Sequence, residues 1–249
     1  MVLPARRTKS SPFGLGSMGG RRVSHTFQLI VFDYDGTLVD SPHIITRAMS
    51  EGFAAHGLAP PRAEDVRRVV GLTLERAVAN LLPEPGDVAT AARVAEGYRQ
   101  AFFALRTQPD CYEPLFPGAR ETLIELGQGD VRLGIATGKA RRGLLASLER
   151  HGLTEHFTTL QTADIAAGKP HPEMLNRAMS EAGTTVQDTV LIGDTTFDMA
   201  MAVNAGTAGV GVAWGYHEPE ELRQNGAAVI VESFGDLPDA LSTLSVARS

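Results

Sequence analysis

Two aspartates stand two positions apart at the end of an apolar run in LIVFDYDGTLVDS, residues 29–41. A buried strand ordinarily excludes carboxylates, because an unpaired charge out of water is costly. Asp33 and Asp35 are therefore expected to face something cationic or reactive. A carboxylate can attack phosphorus and form an acyl-phosphate, which splits one hard displacement into two easier ones. A second carboxyl group just past it can protonate the leaving oxygen and later take a proton from water. Gly36 permits the turn that follows and lets backbone N–H groups approach an anion.

Other residues of the right kind recur at the ends of later apolar runs. Thr137 closes VRLGIAT and is followed by Gly138, Lys169 lies in GKPHP, and Asp194 and Asp198 lie four apart in GDTTFD. If the substrate is a phosphate monoester, Thr137 and the Gly138 amide hold phosphoryl oxygens, and Lys169 supplies a point charge for the phosphate and for Asp33. Asp194 and Asp198 suit a hard, oxygen-seeking cation. Mg²⁺ fits best, since it takes one or two carboxylates, a carbonyl, waters and a phosphate oxygen.

Such residues meet only if the elements bearing them converge. The runs 28–33, 131–137, 159–164, 189–194 and 208–214 are short and β-rich. Helical patterns over 118–127, 140–151, 171–182 and 196–205 alternate with the later ones, several closed by glycine. That alternation predicts an α/β fold, a Rossmann-like doubly wound parallel sheet covered on both faces. Ligands bind such sheets beyond the carboxyl ends of the strands, where the strand order reverses. Residues 41–116 break the rhythm, with helical patterns over 43–57, 63–81 and 87–106 and no strand, ending in CYEPLFPGAR. They are expected to form a smaller all-helical cap inserted into a core of 28–40 and 117–249.

Composition narrows the partners. Residues 1–27 hold Arg6, Arg7, Lys9, Arg21 and Arg22 with no acid, so taking five positive charges from a net −6 leaves −11 for the remainder. An acidic body argues against nucleic acid. No apolar run reaches the ~18 residues that span a bilayer, so no membrane partner is expected. The single Cys111 excludes an internal disulfide and fits a cytoplasmic location. The Arg-, Ser- and Gly-rich leader 1–27 is expected to lack packed structure, as a true leader, a transit peptide or an over-extended start before Met18. Met174, Met179, Met199 and Met201 fall at helical spacings and read as core filling. Tyr34 is given no chemistry.

The constellation DYDGTLVDS, GIATGK, GKPHPEM and LIGDTTFDM, in that order, resembles the motifs of the haloacid dehalogenase-like hydrolase superfamily, and with PLFPGA the likeness spans roughly residues 28–235. The resemblance implies a helical cap between the first and second motifs and, with VGLTLE in that cap, looks most like phosphoglycolate phosphatases. It implies that Asp33 is nucleophile and metal ligand and that Asp35 is general acid/base, lending the metal its carbonyl. It further implies that Thr137 and Lys169 bind phosphate, that Asp194 ligates Mg²⁺ and that Asp198 supports the metal. Asp35 argues against dehalogenation. The absence of lysine from residues 41–116 disfavours the family's Schiff-base hydrolases and its mutases.

The cap is expected to read the leaving group, with Arg47, Arg67, Arg68, Thr73 and Arg76 as candidate contacts and Gly71–Leu72 as a specificity loop. An arginine there could meet a carboxylate such as glycolate's. The expected activity is Mg²⁺-dependent hydrolysis of a small phosphomonoester through a phospho-aspartate, by a monomer or homodimer. A sugar-phosphate or nucleoside-phosphate phosphatase is the alternative substrate class. A non-catalytic phosphate-binding regulator is the alternative of a different kind.

Overall fold

A computed structural model describes residues 27–84, 87–108 and 112–248. The expectations for the leader before Phe27 and for Cys111 lie outside the described residues. Six strands, β1 (Leu29–Phe32), β2 (Arg132–Thr137), β3 (Thr159–Thr162), β4 (Thr189–Gly193), β5 (Ala208–Val212) and β6 (Val229–Val231), form one sheet in the order β3-β2-β1-β4-β5-β6. Every pairing is parallel. The chain leaves β1 toward one edge and returns to build the other, so the reversal of strand order falls at β1.

Ten α-helices accompany the sheet among the described residues. Four lie between β1 and β2: α1 (Pro42–Ala54), α2 (Ala63–Val69), α3 (Leu74–Leu81) and α4 (Val88–Leu105). The others are α5 (Ala119–Leu126), α6 (Arg141–Arg150), α7 (Glu173–Ala182), α8 (Thr196–Ala205), α9 (Pro219–Gln224) and α10 (Leu237–Arg248).

The period-2 geometry of β1 sends its side chains to two different cores. Ile30 and Phe32 pack with Leu123, Leu144, Leu148 and Leu241 from α5, α6 and α10. Leu29 and Val31 pack with Met174, Leu175, Met201 and Ala202 from α7 and α8. A strand buried on both faces reads as an unbroken apolar run, which is why LIVF shows no alternation. All four methionines expected in the core are buried.

The helices between β1 and β2 bury a separate cluster of their own, with Ile44, Ala48, Phe53, Val66, Val78, Val94 and Leu105 at its heart. The fold is α/β with a second, smaller helical layer over the sheet. One departure lies inside it. The single helix expected over 63–81 is two, because Gly71 adopts φ +96 and the chain turns there. The two strands of chain joining sheet to helices are tied where they pass each other. Asp40 donates its N–H to the Pro114 carbonyl at 2.9 Å and Phe116 to the Leu38 carbonyl at 3.0 Å.

Candidate active site

Asp33 directly follows β1 and Asp194 directly follows β4, two neighbouring parallel strands, so their register sets the two carboxylates side by side. The Asp33 N–H is itself tied to the Ile192 carbonyl at 2.9 Å. Asp198 joins them from the first turn of α8, where Thr195 caps the helix and exchanges hydrogen bonds with it in a capping box. One carboxylate oxygen from each of Asp33, Asp194 and Asp198 lies within 4.8 Å of the other two, and all three residues are buried.

Lys169 enters this cluster completely buried. Its Nζ lies 2.8 Å from Asp33 Oδ1 and 2.6 Å from Asp198 Oδ1. Burial alone would lower its proton affinity, but Asp198 and Asp33 raise its pKa above the usual lysine range, so it is an ammonium ion at neutral pH. Asp194 is held differently. Thr37 Oγ1 donates to its Oδ1 at 2.7 Å and the Tyr216 N–H to its Oδ2 at 2.9 Å.

Three carboxylates against one ammonium leave an excess of two negative charges in a desolvated volume. Burial, with the charges of Asp198 and Asp194, pushes the Asp33 carboxyl well above the carboxylate range in spite of Lys169. Burial and Asp198 push Asp194 up to about 7. Lys169 draws the Asp33 carboxyl toward ionisation, but one ammonium shared with Asp198 does not by itself balance the burial, in keeping with the expectation that a cation joins it. Asp33 Oδ2 is also buried with neither a hydrogen bond nor an ion-pair partner among the described residues. The excess charge and this orphaned oxygen call for the same thing, a small divalent cation with oxygen ligands, and the residues present fit Mg²⁺.

Asp35, past the strand end, points away from this cluster. Lys139 Nζ contacts both its oxygens, at 2.9 and 3.0 Å. Lys139 also lies 3.7 Å from the fully buried Glu113, whose other neighbours are Arg106 at 3.6 Å and Arg150 at 3.5 Å. Gly36 makes the turn at φ +89, and a Cβ there would overlap the Asp194 carboxylate and the Tyr216 ring. Thr137 is buried at the end of β2 and accepts the Lys139 N–H on its hydroxyl at 3.2 Å. Gly138 lies so close to the cap that a Cβ would overlap the Leu72 carbonyl, which places Gly71–Leu72 over the strand ends.

A cavity of about 810 Å³ opens between the strand ends and α1–α4, and Asp33, Asp35, Thr137, Gly138, Gly71 and Leu72 all line it. The named cap arginines do not. Arg47 lies along α1, 3.2 Å from Glu51 and 3.1 Å from Gln108, and Arg76 is exposed on α3. Arg67 donates to the Gly215 carbonyl at 3.1 Å and Arg68 pairs with Glu221 at 2.7 Å, so both tie the cap to the core. The arginines that do line the cavity are Arg99, Arg106 and Arg142.

The haloacid dehalogenase-like hydrolase family model matches residues 30–212. The chain belongs to that family. It is an enzyme of the family's phosphatase kind, and its similarity to named relatives runs nearly end to end. It is 37% identical to a protein named probable phosphatase IndB from Dickeya dadantii, over 87% of this chain and 94% of that one. It is 33% identical to a phosphoglycolate phosphatase of Caulobacter vibrioides, over 86% and 91%. Among solved structures, a haloacid dehalogenase-like hydrolase from Bacteroides fragilis superposes with a TM-score of 0.78 at 26% identity, covering 85% of this chain and 99% of that one. No helix among the described residues is long and apolar enough to cross a membrane.

Lys139, Glu113, Thr37 and Tyr216 were not named from sequence. Lys139 and Thr37 carried usable signals, Lys139 as one of only three lysines in the chain and the last residue of GIATGK, Thr37 as a residue of DYDGTLVDS. Glu113 and Tyr216 reach the site from loops far away in sequence and had none.

Proposed function

We propose that this enzyme is a Mg²⁺-dependent cytoplasmic phosphatase that hydrolyses a small phosphomonoester through a phospho-aspartate. The observation that carries the reading is the convergence of Asp194, Asp198 and Lys169 on Asp33, which lines a cavity together with Asp35.

Asp33 is the nucleophile. One of its oxygens forms a bond to phosphorus as the ester bond to the alcohol breaks, giving the acyl-phosphate. Asp35 gives its proton to the departing alkoxide oxygen, so the alcohol leaves neutral. A water then attacks the phosphorus of the acyl-phosphate, Asp35 takes a proton from it, and inorganic phosphate leaves with Asp33 restored. The Gly138 amide and Thr137 hydroxyl hold phosphoryl oxygens, and Lys169 balances their charge. Asp33, Asp194 and the Asp35 carbonyl would hold Mg²⁺, with Asp198 behind them. When bound, the ion supplies charge neutralisation for the phosphoryl group and the carboxylates. Residues 41–116 act as the cap domain that covers the site.

Phosphoglycolate is one candidate substrate, by likeness to relatives bearing that name. A sugar or nucleoside phosphate competes with it. The test is phosphate release from p-nitrophenyl phosphate with Mg²⁺ and with EDTA, for the native protein and for Asp33→Asn. Release that needs Mg²⁺ and falls by at least about 10³-fold in the variant is expected. Turnover surviving in Asp33→Asn would count decisively against a phospho-aspartate.

A further inference from the structure

Granted the phosphatase reading above, we propose that the physiological ester carries an aromatic ring on its alcohol rather than the carboxylate of a two-carbon acid. The volume above the catalytic floor is the first ground. At about 810 Å³ the cavity lies in the upper part of the range that encloses drug-sized ligands. At ~30 Å³ for each water, it is worth roughly 27 waters of liquid volume. Phosphoglycolate fills only a small corner of that.

The chemistry of the walls is the second ground. Ile45 and Met49 of α1, Val69 of α2, Leu72 beyond it, and Phe102 and Phe103 of α4 all face the cavity. The Tyr98 and Phe102 rings stack 5.6 Å apart at an interplanar angle of 28°, with Lys139 Nζ 4.9 Å from the Phe102 ring. Against a small acid these walls stay wet and contribute nothing, whereas an aromatic group would displace the water they hold.

The third ground is that the cationic groups are already engaged. Arg99 pairs with Glu75 and Glu96, Arg106 faces Glu113, and Lys139 faces Asp35 and Glu113. Of the cations lining the cavity, Arg142 alone has no acidic partner among the described residues, and its guanidinium lies 5.6 Å from the Phe103 ring. Arg142, and Arg106 through its buried Nε and Nη2 that make no hydrogen bond, are the groups positioned to serve the rival reading, a carboxylate on the substrate.

The test compares kcat/KM for 2-phenylethyl phosphate, ethyl phosphate and 2-phosphoglycolate, with p-nitrophenyl phosphate as the control, in Mg²⁺. The first two have alcohols of similar acidity, so their ratio reports the ring and not the leaving group. A single methylene in an apolar pocket is worth about tenfold or more, so phenylethyl phosphate is expected to exceed ethyl phosphate at least tenfold. It is expected to exceed phosphoglycolate as well. Phe103→Ser, at a side chain exposed enough to leave folding intact, should lower the phenylethyl-to-ethyl ratio at least threefold. If p-nitrophenyl phosphate turns over but phosphoglycolate is preferred, and Arg142→Gln removes that preference, the aromatic assignment is overturned and the phosphatase reading stands. If no ester releases phosphate, both fall.

Discussion

Lys139 chelates Asp35: its single ammonium lies 2.9 Å from one carboxylate oxygen and 3.0 Å from the other, with Glu113 3.7 Å behind it. The pair is nearly buried, at 10% and 12% side-chain exposure, so little water competes for either group. Asp35 is the residue to which we assign proton transfer, and Lys139 is what holds it in place. Lys139→Met should therefore act on the step in which Asp35 takes part. Turnover of ethyl phosphate, whose alkoxide needs a proton, should fall by about 10²-fold, and that of p-nitrophenyl phosphate much less. Asp35→Asn should show the same asymmetry in stronger form. The measurement is kcat/KM across esters of graded leaving-group acidity. A uniform loss along that series would remove Lys139 from the proton-transfer step.

Metal binding and pH should be linked through the crowded carboxylates. Asp194 is pushed up to about 7 and Asp33 is raised well above its ordinary value, so the metal-free fold binds protons that the unfolded chain has released. Stability from these groups is present at low pH and is lost as pH rises through about 7. Mg²⁺ competes for the same oxygens, so it should restore most where protons are absent. The expected result is a larger Mg²⁺-induced rise in melting temperature at pH 8 than at pH 5.5. An equal or larger rise at pH 5.5 would show that these carboxylates are not the binding site.

The turn after Asp33 should tolerate no side chain. Gly36 has φ +89, and a methyl group there meets the Asp194 carboxylate and the Tyr216 ring. The backbone strain alone is of order 1–3 kcal/mol. The collision also displaces the carboxylate that Thr37 and the Tyr216 N–H hold. Gly36→Ala should lower the melting temperature and weaken Mg²⁺ dependence together, read by thermal melts and by activity against Mg²⁺ concentration. A variant with native stability and native Mg²⁺ response would contradict this packing.

Sequence periodicity located β1 to β5 because each falls in a short β-rich run, three of them closed by Asp33, Thr137 and Asp194. It missed β6, whose run VIV is only three residues long and bears no chemistry. It also joined α2 to α3, since the apolar spacing continues across Gly71 while the backbone breaks there, with Val70 and Thr73 extended and Gly71 at positive φ. The floor of the site was legible for a simple reason. Asp33, Thr137 and Asp194 sit at or just past the ends of parallel strands, where topology alone forces them together. The cap was not legible in this way. Whether an arginine on a cap helix faces the cavity depends on how α1–α4 pack, and Arg47 and Arg76 turn elsewhere while Arg99 and Arg106 line it. Long-range partners such as Glu113 leave no local pattern at all.

Glu113 shows what such a partner does. It is fully buried where the chain returns from the cap, and Arg106, Lys139 and Arg150 surround it within 3.7 Å. Its carboxylate faces three cations, and Asp35 pairs with one of them, Lys139. Replacing it with an isosteric amide takes that anion from Arg106 and Arg150 and leaves Lys139 with Asp35 alone. Removing one partner of a buried charged cluster costs about 3–5 kcal/mol, a large share of a domain's stability. Glu113→Gln should therefore melt well below the native protein. It should also reproduce part of the Lys139→Met effect on unactivated esters, because the ammonium that orients Asp35 loses its second anchor. Denaturant unfolding together with the leaving-group series reads both consequences. Loss of stability with an unchanged leaving-group profile would confine Glu113 to the fold and sever it from Asp35.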